Sequence, residues 1–299
     1  MRPGPAYRRS SLKFLLALHR PRGWRLRGNV QAPVPREQGQ LSVTVVDRAA
    51  PSPLSRAELM ALLADSVEVR SAGRPVRVAV DGCAASGKTT MADELVVVLR
   101  QRGRHVIRAW VDDFLRPRSE RYRRGQYSGQ ACYQDAFDYP ALTGRLLDPL
   151  GPGGTLEYQT AAYDHRDDMA VCPVAAKAPA DAVLVLDGVF LLRPELRGRW
   201  DLKIHLSVQP SEILRRGRIR DLDLYGSIEE VDRRYLSRYL PAQEIYQADD
   251  RPIEHADFIV INDDPARPAV RSGSAPRFVV ARGAARRDRG SMLRRHAHT

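Results

Sequence analysis

Arg77-Val78-Ala79-Val80-Asp81, followed by Gly82-Cys83-Ala84-Ala85-Ser86-Gly87-Lys88-Thr89-Thr90, is the stretch that decides how this 299-residue chain folds. Its first half is a short apolar run with β-branched residues, the pattern of a buried strand. Its second half fits G-x-x-x-x-G-K-[ST], a loop that cradles phosphates. Met91, Leu95, Val98 and Leu99 then fall on one helical face, and Gly103 is a natural stop. Glycines at 82 and 87 let the backbone fold tightly enough for successive N–H groups to point at phosphate oxygens. The new helix adds its free N–H groups and the positive end of its dipole. Lys88 is placed to reach the β- and γ-phosphates, and the Thr89 hydroxyl to ligate Mg²⁺. Residues 82–90 are therefore read as the binding loop for a nucleoside triphosphate with Mg²⁺. No N-K-x-D guanine-reading motif occurs, which favours ATP over GTP.

The composition at first points elsewhere. A net charge of +12 and a pI near 10 are typical of nucleic-acid binders. Of that charge, +8 falls in residues 1–40 and +8 in 266–299, which leaves −4 for 41–265. The basicity thus lies in two tails rich in Arg, Pro and Gly. Only four of the 48 basic residues are lysine, an arginine excess spread along the whole chain rather than gathered at phosphate contacts. Residues 1–50 are read as a basic disordered extension, or as a start placed upstream of the true one, residues 51–265 as the folded domain, and 266–299 as a second disordered tail. Nucleic acid is not expected as a partner. Cys83, Cys132 and Cys172 form no C-x-x-C pair, so neither a disulfide framework nor a zinc site follows. Phe14-Leu15-Leu16-Ala17-Leu18 is too short to span a membrane, and the reading is of a soluble cytoplasmic protein compatible with a homo-oligomer.

Four further strands follow the loop: His105–Val111, Asp181–Gly188, Leu202–Ser207 and Phe258–Asn262. Strands alternating with helices define an α/β protein, a P-loop three-layer sandwich on a five-stranded parallel sheet. Ser55-Arg56-Ala57-Glu58 and Ser227-Ile228-Glu229-Glu230 are capping boxes that open helices. Asp112 and Asp113 end the second strand, where open α/β sheets form their ligand crevice. Asp187 ends the third, an acid placed to hold Mg²⁺ together with Thr89. Residues 115–134 read as a mobile loop over a substrate, and 156–166 as an irregular β excursion. A helix from Ser211 carries Arg215, Arg216, Arg218 and Arg220 at spacings that stack like charges, so a triphosphate is the expected counter-anion.

Together, in this order, the loop Gly82–Thr90, Asp112-Asp113-Phe114, Asp135-Ala136-Phe137-Asp138, Asp187-Gly188-Val189-Phe190-Leu191-Leu192, the arginine run to Arg220-Asp221, and Arg238-Tyr239-Leu240-Pro241-Ala242-Gln243 resemble the uridine kinase / phosphoribulokinase group of P-loop kinases over residues 75–263. The resemblance implies that Asp112 accepts the proton of a sugar 5′-hydroxyl. It also implies an arginine lid, with Arg216 and Arg220 closing on ATP beside Lys88, and uridine or cytidine as acceptor. Asp113, Asp135, Tyr163 and His165 are the acceptor-side candidates. The acceptor side departs from the family pattern: Cys132-Tyr133-Gln134 stands where uridine kinases carry Asp-His-Pro, and His165 follows Tyr163-Asp164 where they carry Phe. Other readings are a kinase for another sugar or a pantothenate-like alcohol, a nucleotide-binding regulator without transferase activity, and an ATPase acting on water.

Overall fold

The computed structural model describes residues 41–45, 51–71, 73–273 and 279–283. Residues 1–40, including Phe14–Leu18, and those from 284 onward lie outside the described residues, and with them most of both basic extensions. Apart from four two-residue strands between residues 157 and 177, the strands are β1 (Leu41–Val45), β2 (Ser52–Pro53), β3 (Val76–Gly82), β4 (Val106–Trp110), β5 (Val183–Gly188), β6 (Leu202–Ser207), β7 (Phe258–Ile261), β8 (Ala269–Ser272) and β9 (Val279–Gly283). The main sheet has seven of them in the order β2-β8-β7-β6-β3-β5-β4. The five expected strands, β7 to β4 in that order, are parallel, and β8 and β2 extend the β7 edge antiparallel. The domain boundary expected at 265 therefore falls short, because Ala269–Ser272 is a strand of the sheet, between β7 and β2. Within the supposed tails, β1 and β9 also pair antiparallel, Leu41 opposite Gly283.

The helices that bear on the site are α1 (Arg56–Val69), α2 (Lys88–Gln101), α3 (Gly129–Asp135), α4 (Pro210–Arg220), α5 (Ile228–Arg234) and α6 (Leu240–Asp250). Successive residues of the inner strands face opposite ways. Val76, Val78, Val80, Val183 and Val185 pack with α1 and α2 in one core, while Ala79, Leu184 and Leu186 pack with Phe190, Tyr133 and Tyr246 in another. Strands apolar on both faces and covered on both are the condition for a parallel sheet. The capping box at Ser55 forms in full, its side chain taking the Glu58 N–H and Glu58 reaching back to the Ser55 N–H. Pro241 does not end the helical run it interrupts. The chain widens to a π turn over Tyr235–Tyr239 and continues as α6, with Pro241 in the first turn, where no N–H is needed.

One polar group is embedded between the layers. Asp81, the last residue before the glycine loop, is fully buried. Its Oδ1 accepts the Leu191 N–H at 3.0 Å, and its Oδ2 accepts the Tyr246 hydroxyl at 3.0 Å and lies 2.7 Å from His205 Nδ1. The Tyr246 oxygen in turn accepts the Leu192 N–H at 2.9 Å. His205 is a buried partner on β6. A carboxylate taken out of water stays folded only when its lone pairs are answered. Tyr246→Phe leaves the Leu192 N–H unpaired and removes one donor from Asp81, so it should cost about 1–3 kcal/mol in urea unfolding; a loss under about 0.5 kcal/mol would mean that the network is not strained by losing a member.

Candidate active site

The glycine loop forms at the carboxyl end of β3 as the sequence requires. Gly87 sits at φ 90 and precedes α2, and a Cβ there would lie 2.8 Å from Asn262 Nδ2. Glycine alone takes that conformation without strain. A Cβ on Gly82 would lie 2.8 Å from Ser86 Oγ, so the loop has no room for a side chain at its entry. Asn262, just past β7, donates its side-chain amide to the Ser86 carbonyl at 2.8 Å and so pins the loop from behind. Ser86 Oγ is buried with no hydrogen-bond partner among the described residues, and Lys88 Nζ rests 3.3 Å from the Cys83 carbonyl. An orphaned hydroxyl and an ammonium held only by a carbonyl of its own loop are groups that phosphate oxygens would satisfy.

Strand register sets the next pair. Asp187 on β5 lies opposite Val80 on β3 and opposite Trp110 on β4. Its Oδ2 accepts the Thr89 hydroxyl at 2.7 Å, joining the end of β5 to the first turn of α2. A hydroxyl and a carboxylate oxygen side by side are hard oxygen donors of the kind Mg²⁺ takes, with phosphate oxygens and water to complete the set. Sequence reasoning placed both residues but missed a third. Arg108, on β4 with a side chain 9% exposed, pairs its Nη2 with Asp187 Oδ1. The available signal was a charge inside an otherwise apolar strand.

Two residues past β4, Asp112 and Asp113 stand on a single turn of 3₁₀ helix anchored by buried Val111 and Phe114. Gly188 explains how this turn comes close to β5: a Cβ on it would lie 2.3 Å from Val111 Cγ1. Asp112 is exposed, whereas Asp113 is half-buried, and burial, with Asp112 and Asp164 nearby, pushes its carboxyl up to about 6. The backbone is clamped here. The Phe114 carbonyl takes the Asp138 N–H at 2.8 Å, and the Asp113 carbonyl takes the Ala162 N–H at 2.9 Å. Residues 115–134 are correspondingly more structured than a mobile loop, with a helical turn at Arg118–Arg121 and all but the last residue of α3. The β excursion is two short hairpins, Glu157–Tyr158 with Ala176–Lys177 and Tyr163–Asp164 with Met169–Ala170.

The other acceptor-side candidates do not all converge. Tyr163 is buried, with its hydroxyl given to Asp168 at 2.7 Å. His165 is half-buried beside Asp164 in the same hairpin. Asp135 is buried, with Oδ2 3.1 Å from Arg124 Nε in an ion pair. Burial pushes the Cys83 thiol up to about 12 and the Cys132 thiol up to about 11, which makes both poor nucleophiles.

The arginine helix corrects one expectation. Its charges are offset within the chain rather than left for a triphosphate. Arg215 and Arg216 share Glu212, at 2.7 Å each, and hold its carboxyl down to about 2. Arg218 forks onto Asp232, with both bonds at 2.7 Å, and Arg220 onto Asp221 at 2.7 and 2.9 Å. Arg216 also donates to the carbonyls of Asn262, Asp263 and Ser86, which makes it a latch between α4 and the back of the glycine loop. Gly217 lets α4 settle on Tyr235, whose Cζ would be 2.5 Å from a Cβ there.

A seven-stranded sheet with a central run of parallel strands, a glycine loop entering a helix and an acid on the neighbouring strand make this a P-loop kinase fold. The resemblance to the uridine kinase group read from the sequence is borne out. Over 187 residues the chain is 29% identical to uridine-cytidine kinase B of Dictyostelium discoideum, spanning 62% of this chain and 74% of that protein. It is 26% identical to uridine-cytidine kinase 2-B of Danio rerio, spanning 57% and 67%. Among solved structures, a "possible uridine kinase" from Bacillus stearothermophilus superposes with a TM-score of 0.54 at 23% identity, covering 68% of this chain and 97% of that one, a likeness of fold. No protein-family model matches the chain.

The Asp113 carboxyl gives a pH signature. Its folded pKa near 6 lies above the 3.8 of a free aspartate, so the folded state binds this proton more tightly. Its contribution to stability is present below pH 4 and is lost as pH rises to 6. Asp113→Asn should therefore raise the urea midpoint above pH 6 relative to the parent, and the difference should vanish below pH 4; equal midpoints at pH 7.5 would contradict the assignment.

Proposed function

We propose that this protein transfers the γ-phosphoryl group of ATP to a hydroxyl of a small molecule. Gly82, Cys83, Ala84, Ala85, Ser86, Gly87, Lys88, Thr89 and Thr90 hold the phosphates in this reading, and Thr89 with Asp187 holds Mg²⁺. When bound, the ion supplies charge neutralisation on the phosphate oxygens. The observation that carries the reading is the approach of the Asp112 turn to the end of β5, allowed by Gly188. This packing of the exposed Asp112 turn against the strand that carries Asp187 supports a base at Asp112, which a module that only bound nucleotide would not need.

Asp112 takes the proton of the acceptor hydroxyl as the oxygen attacks the γ-phosphorus, and the bond to the bridging oxygen of ADP breaks. Positioning and charge neutralisation dominate such reactions, with little covalent work for the protein. Lys88, held only by a carbonyl of its own loop, is available for developing charge. Arg220, forked onto Asp221, and Arg216, latched to backbone carbonyls, would act only after exchanging partners. The half-buried Asp113 supports a second assignment of the base, since a carboxyl near 6 is better matched to neutral pH than a solvated one.

For the acceptor we propose the 5′-hydroxyl of uridine or cytidine, in line with the uridine-cytidine kinases to which the chain is similar. The occupied Tyr163 and the Cys132-Tyr133-Gln134 segment favour testing other sugars and alcohols beside it. ADP release with Mg·ATP should be stimulated by uridine or cytidine. Asp112→Asn should lower turnover by about 10²-fold or more and leave ATP binding unchanged. If Asp113→Asn has that effect instead, the base is Asp113; if no alcohol stimulates release while ATP binds, the reading as a kinase falls. Lys88→Ala should abolish the rise in melting temperature that ATP gives the parent protein, and a retained rise would remove Lys88 from the phosphate site.

A further inference from the structure

Arg108 is fixed on every side. Its Nε donates to Asp93 at 2.8 Å, its guanidinium carbon lies 4.5 Å over the Trp110 ring, and its Nη1 faces the Val185 carbonyl at 3.5 Å. The remaining nitrogen meets Asp187 Oδ1. Asp187, 3% exposed, thus has both oxygens engaged: Oδ1 by Arg108 and Oδ2 by the Thr89 hydroxyl. A carboxylate offered to a divalent cation should present free lone pairs and uncompensated negative charge. This one has each oxygen already engaged by a donor and its charge offset by a guanidinium. Arg108 also reaches Asp187 from the strand beside it, in a register that the β4–β5 pairing sets, so the contact does not depend on a flexible loop.

We propose that Arg108 is a positioning residue that serves as built-in counter-ion to Asp187, so that the free protein does not capture a divalent cation and the metal enters only with its nucleotide. The inference rests on the nucleotide–metal reading of the loop given above. Its physical basis is electrostatic. With Arg108 in place the charge of the buried Asp187 is largely offset, while Asp93 on the other edge of the guanidinium is half exposed to water, and a triphosphate would bring the negative charge needed to hold the ion. Without Arg108 the buried acid is uncompensated, and a cation would be its best available partner.

Binding of Mn²⁺, as a stand-in for Mg²⁺, can be followed on the full chain by the loss of the free-ion electron paramagnetic resonance signal. The parent protein without nucleotide should bind weakly, with a Kd in the millimolar range. Arg108→Gln should bind at least about tenfold more tightly, since a charge lost within a few ångströms in a partly buried site is worth that much or more. Arg108→Lys should restore weak binding, and adding Asp187→Asn to Arg108→Gln should abolish the gain. Submicromolar to low-micromolar binding by the nucleotide-free parent would overturn the proposal even if Arg108→Gln failed to fold. So would an unchanged affinity in a folded Arg108→Gln protein, or a gain that survives Asp187→Asn. A parallel titration of the parent with a non-hydrolysable ATP analogue tests the underlying reading separately: no metal uptake there sinks the nucleotide site itself.

Discussion

A carboxylate buried at the end of the central strand has to be answered by donors, and the way Asp81 is answered ties the site together. Its partners come from three places far apart in sequence: His205 on β6, Tyr246 on α6, and the backbone that follows Asp187 on β5. Each bond is modest in net worth, yet leaving any of these groups buried and unpaired is costly. The glycine loop, the segment after Asp187 and the helix behind both are thereby held to one geometry. A loop made of small residues has little packing of its own to hold it, and here the rigidity is supplied from beneath by Asp81 and from behind by Asn262.

Charge is managed in the same closed manner. The chain is rich in arginine, but around the crevice the guanidiniums meet carboxylates and carbonyls of the same protein. Glu212, Asp221 and Asp232 each take an arginine of α4, and Asp187 takes Arg108. Exposed pairs of this kind contribute little to stability, but they remove free positive charge from the surface. That is why a helix with four arginines in six residues is stable without a bound anion. Lys88, by contrast, has only a carbonyl of its own loop as partner.

The acceptor side is built from segments that are short and irregular, namely helical turns, two small hairpins and a 3₁₀ turn. They are held by backbone hydrogen bonds between distant residues, as between Phe114 and Asp138 or Asp113 and Ala162. Such pairing leaves no periodic trace in sequence, which is why residues 115–134 read as a loop although they are substantially helical. The same holds at the end of the domain. Ala269–Ser272 is a four-residue strand in an arginine- and proline-rich context, and it becomes a strand because β7 offers it an unpaired edge, with the two-residue β2 closing its other side.

What the sequence by itself determined is local and periodic: the glycine loop between an apolar strand and an amphipathic helix, the five mainly apolar runs that become the parallel strands, the capping box at Ser55, and acids at strand ends. These follow from spacing and steric rules that act within a few residues, so they can be read before the chain is folded. Tertiary structure alone decided the partners of the charges. Whether Arg216 reaches a phosphate or a carbonyl, whether Asp187 meets a metal or Arg108, and whether Tyr163 is free or given to Asp168 depend on groups 5 to 130 positions away, brought together by strand order and register. Electrostatic partnership is a property of distance in space, and a one-dimensional pattern carries that information only where the fold has already been decided.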